Sequence, residues 1–273
     1  MRIAFIGGGN MTTSMVGGLV RRGTPAGDLW VSDPVPAQLE RLAREFGVRG
    51  GADNRAAVRE ADLVVLAVKP QQIAEVARGI AAQVAERRRV VVSIAAGIRL
   101  PDLMRWLGAG TPIVRAMPNR PALIGAGITA LYGGNGITDR DRDAVEALMS
   151  AAGATVWLDQ ESQMDVVTAI SGSGPAYFFL LIEALEAAGI AAGLPATTAH
   201  RLAVETARGA GIMSAESGET PTVLREQVTS RGGTTAAALE VLEAASMRDT
   251  FGRAVAAATR RSVELADEFG GTP

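Results

Sequence analysis

Residues 2–13 read RIAFIGGGNMTT. The apolar run Ile3–Ile6 predicts a strand, Gly7, Gly8 and Gly9 a turn, and Met11–Arg22 a helix. Glycine lets a ligand approach the backbone closely. The first N–H groups of a helix have no partner inside it and carry the positive end of its dipole, so a phosphate is a natural guest there. The spacing Gly7-x-Gly9-x-x-Thr12 matches the dinucleotide fingerprint at its first two glycines and departs from it at the third. A plain tight turn is the alternative reading. The strand–turn–helix context at the head of the chain favours the binding loop.

Working outward, short β-branched runs alternate with helical patterns as far as about residue 160. Further strands are expected at Leu29–Ser32, Leu63–Ala67, Val90–Ile94, Ile113–Ala116, Ile128–Leu131 and Thr155–Leu158. Helical patterns fill Ala37–Phe46, Gln71–Ala85 and Arg140–Ala151. Such alternation predicts a parallel, doubly wound sheet, with Leu63–Val68 as a central strand buried on both faces. Beyond residue 161 the strand signal stops. Helices are expected over Gly174–Ala192, Ala196–Met213, Thr222–Thr229, Thr235–Ala245 and Arg248–Phe269, with breaks at 172–175 and at Leu194-Pro195. The expected fold class is therefore α/β: a Rossmann-type dinucleotide-binding domain at 1–160, followed by an all-α domain at 161–273. The helices of the second half are rich in alanine and apolar on several sides, which reads as an oligomer interface; a monomeric bundle is the alternative. Gly270–Pro273 are expected to fray.

Composition sets limits on partners and chemistry. The 273 residues suffice for two domains, with 48% hydrophobic and 21% charged residues. A net charge of −2 gives no basic field for nucleic acid. Cysteine is absent, which excludes thiol nucleophiles and cysteine-ligated metals and fits a reducing compartment. With no signal-like start and no run of about 18 apolar residues, neither a membrane span nor a membrane partner is expected, and the cytoplasm is the expected location. No Asp/His cluster has metal-ligand spacing, so no metal is expected. Lys69 is the only lysine and His200 the only histidine, so a Schiff base or a histidine base would have to use one of them.

Several positions are candidates for the site. Asp33 ends the second strand near the offset of an acid that bonds ribose hydroxyls, which would favour NAD over NADP; a turn or helix-capping aspartate before Pro34 is the alternative. Lys69-Pro70 lies at the carboxyl end of a parallel strand, where open α/β sheets bind ligands. Arg115–Pro121 forms either a rigid wall beside a cofactor ring or a structural loop. The stretch Val228–Leu242 (VTSRGGTTAAALEVL) places Gly232, Gly233, Thr234 and Thr235 at the start of a helix. This second anion-binding start suits a substrate carboxylate. His200 reads as structural, Arg87–Arg89 as a solvated loop, and Trp30, Trp106 and Trp157 as packing residues. Nothing marks Glu161 with Asp165, or Glu264 with Glu268, as a catalytic dyad.

Taken together, FIGGGNM at 5–11, AVKP at 67–70, SIAAG at 93–97, VRAMPN at 114–119, SGSGPAYF at 171–178 and VTSRGGTT at 228–235 resemble the pyrroline-5-carboxylate reductase family, over essentially the whole chain. Two departures stand out: Arg231 replaces a proline, and Arg120 replaces the threonine after Pro118-Asn119. The resemblance implies a helical dimerisation domain and at least a homodimer. It also implies reduction of 1-pyrroline-5-carboxylate to L-proline by NADPH or NADH, the last step of proline biosynthesis. By position it implies that Ser230, Gly233 and Thr234 hold the substrate carboxylate and that Thr235, the catalytic candidate, bonds the ring nitrogen. Gly7, Gly9, Asn10 and Met11 would cradle the pyrophosphate. Ser32, Asp33, Asn54, Ala67, Val68, Lys69, Pro70 and Ala95 complete the expected cofactor site. The family commonly accepts NADPH, and Asp33 leads us to expect that NADH works as well.

A protonated cyclic imine needs orientation more than a strong acid, so a chain without a catalytic histidine, cysteine or carboxylate can reduce it. Two other readings compete. A β-hydroxyacid or 6-phosphogluconate-type dehydrogenase uses a lysine on a helix of its second domain, and this chain has none after Lys69. A regulatory protein that binds NAD(P) without turnover has no need of a carboxylate pocket.

Overall fold

The computed structural model describes Met1 to Gly271. The strands are β1 (Ile3–Ile6), β2 (Leu29–Ser32), β3 (Arg49–Gly51), β4 (Leu63–Leu66), β5 (Val90–Ser93), β6 (Ile113–Pro118), β7 (Gly127–Gly133) and β8 (Gly153–Trp157). They form an 8-stranded sheet in the order β3-β2-β1-β4-β5-β6-β7-β8. From β3 to β6 every pairing is parallel; β7 runs antiparallel to β6, and β8 is parallel to β7. The expected parallel, doubly wound sheet is thus parallel except at β6–β7. Only residues 119–126 join these strands, including a 3₁₀ turn at Arg120–Ile124. That is too short for a crossover helix, so the chain doubles back.

The helices are α1 (Asn10–Arg21), α2 (Pro36–Phe46), α3 (Asn54–Glu60), α4 (Pro70–Ala85), α5 (Leu100–Leu107) and α6 (Asp139–Ser150), then α7 (Gln163–Val167), α8 (Gly174–Ala191), α9 (Ala196–Glu216), α10 (Pro221–Gln227), α11 (Thr234–Ala244) and α12 (Met247–Gly270). A π-helical turn, Thr168–Gly172, follows α7. β3, α3 and α5 escaped the sequence reading. β3 has no β-branched residue and holds its place by pairing with β2. α3 depends on the Asp53 carboxylate, which accepts from the Arg55 and Ala56 amides. The Leu100 amide at the head of α5 donates to Glu161, far along the chain.

Layers of core lie on both faces of the sheet. One gathers Phe5, Val65, Val92, Met15 and Leu148; the other gathers Ile6, Leu66, Ile73, Ile80 and Leu103. Two compact units result. The first comprises residues 1–172 and the segment from Ala258 onward; the second is Ser173–Ala257. The expected limits of 1–160 and 161–273 therefore differ from the packing at both ends. The end of α12 joins the sheet unit through Arg99–Asp267 at 2.7 Å, Ser262 Oγ donating to Asp165 at 2.7 Å, and Arg105 donating to the Gly270 carbonyl at 2.7 Å. Gly270 is consequently buried rather than frayed. Thr272 and Pro273 lie outside the described residues.

The segment Gln163–Ala191 is long and apolar enough to cross a bilayer by length and composition, with a mean hydropathy of 1.4 in its most apolar window. Glu183 and Glu186 interrupt its apolar run. Large apolar side chains of α8 are exposed, among them Phe178, Phe179 and Leu180.

Arg87–Arg89 corrects another expectation. Arg89 is 2% exposed, and its guanidinium donates to the carbonyls of Arg59, Ala61, Gln83 and Arg87 at the ends of α3 and α4. It serves as a buried cap for helix carbonyls that would otherwise lack donors. Arg89→Met should lower stability by about 3 kcal/mol, because buried acceptors lose their donor. All three tryptophans lie within residues 1–172, so urea unfolding followed by their fluorescence reads this unit. An unchanged midpoint would contradict the capping role.

Arg88 pairs instead with Asp141, at 3.0 and 2.5 Å. Asp141 also accepts from the Thr138 amide and hydroxyl in a capping box at the start of α6. The Arg88 guanidinium, ahead of the Thr138 bonds, holds the Asp141 carboxyl well below the usual carboxylate range. A depressed folded pKa contributes stability that is complete above the unfolded value, near 3.9, and is lost as pH falls below it. Asp141→Asn should cost roughly 1 kcal/mol at neutral pH, since half-exposed Arg88 is screened by solvent. It should also flatten the fall of stability between about pH 5 and 2, as measured by urea midpoints across that range.

Candidate functional site

The carboxyl edge of the sheet is where the strand order turns back on itself, between β1 and β4, and open α/β sheets bind ligands at such a point. The Gly7 amide donates to the Ser32 carbonyl at 2.8 Å, and the Ala67 amide donates to Ile6 at 2.8 Å. Gly7 has φ +108°, and a Cβ there would lie 2.6 Å from the Ala67 carbonyl oxygen. Only glycine lets the loop cross so close to β4. A Cβ at Gly9, by contrast, would meet nothing within 4 Å. That open side adjoins the start of α1, where Gly9 is the N-cap and no side chain caps the helix. The amides of the first turn, with those of Asn10 and Met11 among them, are thus left for an anion. This cradle fits a dinucleotide pyrophosphate.

The departure at Thr12 has a local cause. Its side chain is fully buried, and its hydroxyl donates to the Gly7 carbonyl at 2.6 Å, fastening the turn from inside. Met11 packs its side chain against the core, so its backbone, not its thioether, faces the cradle. Asp33 acts as a turn residue: its carboxylate accepts from the Gly8 amide at 2.7 Å and the Val35 amide at 2.8 Å. Ser32 and Asn54 are brought together, with Ser32 Oγ donating to Asn54 Oδ1 at 2.7 Å. Ala67, Val68, Lys69 and Pro70 form the bend from β4 into α4, with exposed Lys69 as the N-cap and Pro70 in the first turn. Ala95 follows β5, is 8% exposed, and its amide meets Ser93 Oγ at 3.4 Å.

The wall at 115–121 is held structurally at two points. Arg115 is buried and pairs with Glu161 at 2.7 Å; Asn119 accepts from the Ile128 amide at 3.0 Å. Glu161 and Asp165 are thereby committed to Arg115 and Ser262, and Glu264 and Glu268 both bond Arg261. His200 bonds Glu186 at 2.9 Å between α8 and α9. Arg120 is exposed. Sequence reasoning missed Arg41, whose guanidinium bonds Thr13 and Gln38, each at 2.8 Å. It thereby brings a positive charge to the first turns of α1 and α2. Among so many arginines, nothing in the sequence marks it out.

In the second unit, α10 ends at Gln227 and α11 begins at Thr234, with Gly233 as its N-cap. Thr229 Oγ1 donates back to the Arg225 carbonyl at 2.6 Å, and the Gly233 amide donates to Ser230 at 3.0 Å. Gly232 has φ +70°, and a Cβ on Gly233 would collide with Ser230 Oγ. The left-handed backbone at Gly232 is what calls for glycine here. The amides of Thr234 and Thr235 open the helix without a side-chain cap, and Arg231 in the preceding loop is exposed. Among the described residues, no group of three or more His, Cys, Asp or Glu is placed to hold a metal.

Comparison with known proteins agrees with this geometry. Residues 161–265 match the family model for pyrroline-5-carboxylate reductase dimerisation, and residues 2–97 match that for coenzyme F420-dependent NADP oxidoreductases. The pyrroline-5-carboxylate reductase of Pseudomonas aeruginosa is 45% identical over 269 residues, covering 98% of each chain. A pyrroline-5-carboxylate reductase structure from Coxiella burnetii superposes with a TM-score of 0.95 at 39% identity, covering 97% of this chain and 98% of that one. The Plasmodium falciparum pyrroline carboxylate reductase, solved with NADP bound, gives 0.84 at 28% identity with the same coverage. An N-terminal NADP-binding domain on a mostly parallel sheet and an all-helical dimerisation domain, both joined to full-length relatives of a single activity, leave one assignment: the chain belongs to the pyrroline-5-carboxylate reductase family of NAD(P)H-dependent oxidoreductases, which reduce 1-pyrroline-5-carboxylate to proline.

Proposed function

We propose that residues 1–160 bind NADPH or NADH and that residues 161–273 bind 1-pyrroline-5-carboxylate and form a homodimer, in a cytoplasmic enzyme of proline synthesis. The observation that carries the reading is the pair of helix starts, α1 and α11, each preceded by glycine and each lacking a side-chain cap. One suits the cofactor's pyrophosphate and the other the substrate's carboxylate. A reading as a hydroxyacid dehydrogenase lacks its lysine, and one as a sensor leaves the α11 start without a purpose.

The nicotinamide, when bound, supplies the hydride. The protein binds and orients. Gly7, Gly9, Asn10 and Met11 hold the pyrophosphate, largely through backbone amides. Ser32, Asn54, Ala67, Val68, Lys69, Pro70 and Ala95 line the ribose and nicotinamide. Ser230, Gly233 and Thr234 hold the substrate carboxylate, which fixes the ring. Thr235 Oγ1 accepts a hydrogen bond from the protonated ring nitrogen. Hydride adds to the imine carbon, the C=N π pair moves to nitrogen, and the product is the ring amine of proline. No protein group needs to give up a proton in this step, and proximity does most of the work.

Thr235→Ala should lower kcat by about 10–100-fold with folding intact, the size of one lost orienting hydrogen bond. Oxidation of the reduced nicotinamide, followed by absorbance with the imine as substrate, measures it. A variant with unaltered kcat/KM would remove Thr235 from the site.

Asp33 sets cofactor choice in this proposal. Each of its carboxylate oxygens accepts one backbone amide and keeps a free lone pair for a ribose hydroxyl. A 2′-phosphate would meet its negative charge, partly offset by Arg41. Asp33→Ser should shift the NADPH/NADH ratio of kcat/KM about tenfold toward NADPH, while loss of the Gly8 anchor lowers both values. A fixed ratio with both values lowered would leave Asp33 a purely structural role.

A further inference from the structure

At the carboxyl edge of the sheet, the chain leaving β5 runs beside the chain leaving β4. Leu66 and Ser93 are paired, and the Ile94 amide donates to the Leu66 carbonyl at 3.1 Å. The turn at 94–99 therefore flanks the bend Ala67–Pro70, and Ala95 on it is buried. The end of α12 lies across this turn. Ser262, Ala266 and Gly270 form a buried stripe of small residues at helical spacing, and Phe269 beside it is half-buried. A Cβ on Gly97 would lie 3.2 Å from the Phe269 ring and 3.6 Å from the Ala266 amide nitrogen. Arg99 pairs with Asp267 at 2.7 Å and donates to the Val263 carbonyl at 3.5 Å. A Cβ on Gly270 would collide with the Asp102 carboxylate in the first turn of α5, and Arg105 bonds both Asp102 and the Gly270 carbonyl. One helix end thus holds the turn at Gly97, its exit at Arg99 and the start of α5.

We propose that the end of α12 is a positioning element for hydride transfer: Phe269 and the Arg99–Asp267 pair fix the turn at 94–99 and, through Ala95, the nicotinamide. The inference rests on the reading of Ala95 as part of the nicotinamide site. The α12 contacts fall on Gly97 and Arg99, close enough in the chain that any freedom of the turn passes directly to Ala95. The pyrophosphate cradle is built separately, from β1 and the start of α1. A loosened turn therefore leaves cofactor affinity to the cradle and degrades the placement of the ring. Hydride transfer is steep in that placement, since a shift of about 1 Å costs about a hundredfold in rate. Residues 266–270 also lie beyond the match to the dimerisation family, which ends at residue 265, and they belong to the sheet unit. The helix end thus serves the half of the chain that carries the cofactor.

Phe269→Ala removes the ring from Gly97 and leaves the polar contacts of the helix end in place. In the cofactor-free chain, hydrogen exchange at Ala96–Ile98 should quicken about tenfold. In single turnover, hydride transfer from NADPH to the imine should slow about tenfold, while the NADPH dissociation constant, read from tryptophan quenching, changes by less than about threefold. Phe269→Leu keeps an apolar contact and should recover most of the rate. Arg99→Met tests the same turn with the core untouched; it should slow the transfer about threefold, and Arg99→Lys should restore it. A lower urea midpoint with an unaltered transfer rate would make the clasp purely structural and overturn the proposal. So would unchanged exchange at Ala96–Ile98, or weaker NADPH binding at an unaltered rate. Ala95→Leu separates this inference from the reading beneath it. If Ala95→Leu slows hydride transfer and the α12 variants do not, the clasp alone is overturned. If Ala95→Leu also leaves rate and affinity unaltered, Ala95 does not meet the ring, and the proposal falls with that reading.

Discussion

The site's cofactor side depends on one close approach: the backbone at Gly7 passing over the end of β4. A Cβ there would sit 2.6 Å from the Ala67 carbonyl oxygen, and φ is +108°. Because the chain can pass so near, α1 begins directly at the carboxyl edge and its first amides remain open. Two side chains then fix the loop from opposite directions. Thr12 bonds the Gly7 carbonyl from within α1, and Asp33 bonds the Gly8 amide from the end of β2. Little of the cradle itself is side chain. It is backbone held in shape by buried hydrogen bonds, an arrangement that leaves the first amides of α1 open with no side chain to be ordered there.

The two edges of the sheet divide stability from binding. At the amino edge polar groups are closed internally: Arg89 caps carbonyls at the ends of α3 and α4, and Arg88 with Asp141 closes the start of α6. At the carboxyl edge the starts of α1 and α4 carry no side-chain cap. In the second unit α11 begins in the same way. Groups that are satisfied internally contribute to the fold, and those left open are available to ligands.

Much of this was legible in the sequence because it is local. Strand–glycine–helix at residues 3–21, the buried run at β4, and the paired glycines before α11 each announce themselves through composition and spacing, and the six motifs together identified the family. Two of the elements that escaped are held by distant partners. β3 is three residues, Arg-Gly-Gly, stable only beside β2. The head of α5 is fixed by Glu161, which lies 61 residues further along. Asp33 was legible at the end of β2, but not that its carboxylate holds the amides of Gly8 and Val35.

The sequence by itself determined the class of fold, the family, the glycine-led starts of α1 and α11 and the absence of any histidine, cysteine or lysine machinery beyond Lys69 and His200, since these follow from residue identity and short-range spacing. Only the tertiary structure decided that β7 turns back on β6, that the end of α12 returns to the sheet unit, and that Arg89 is a buried cap and not a solvated charge. Each of these depends on contacts between residues far apart in the chain, where the free energy of packing and buried hydrogen bonds outweighs local preference.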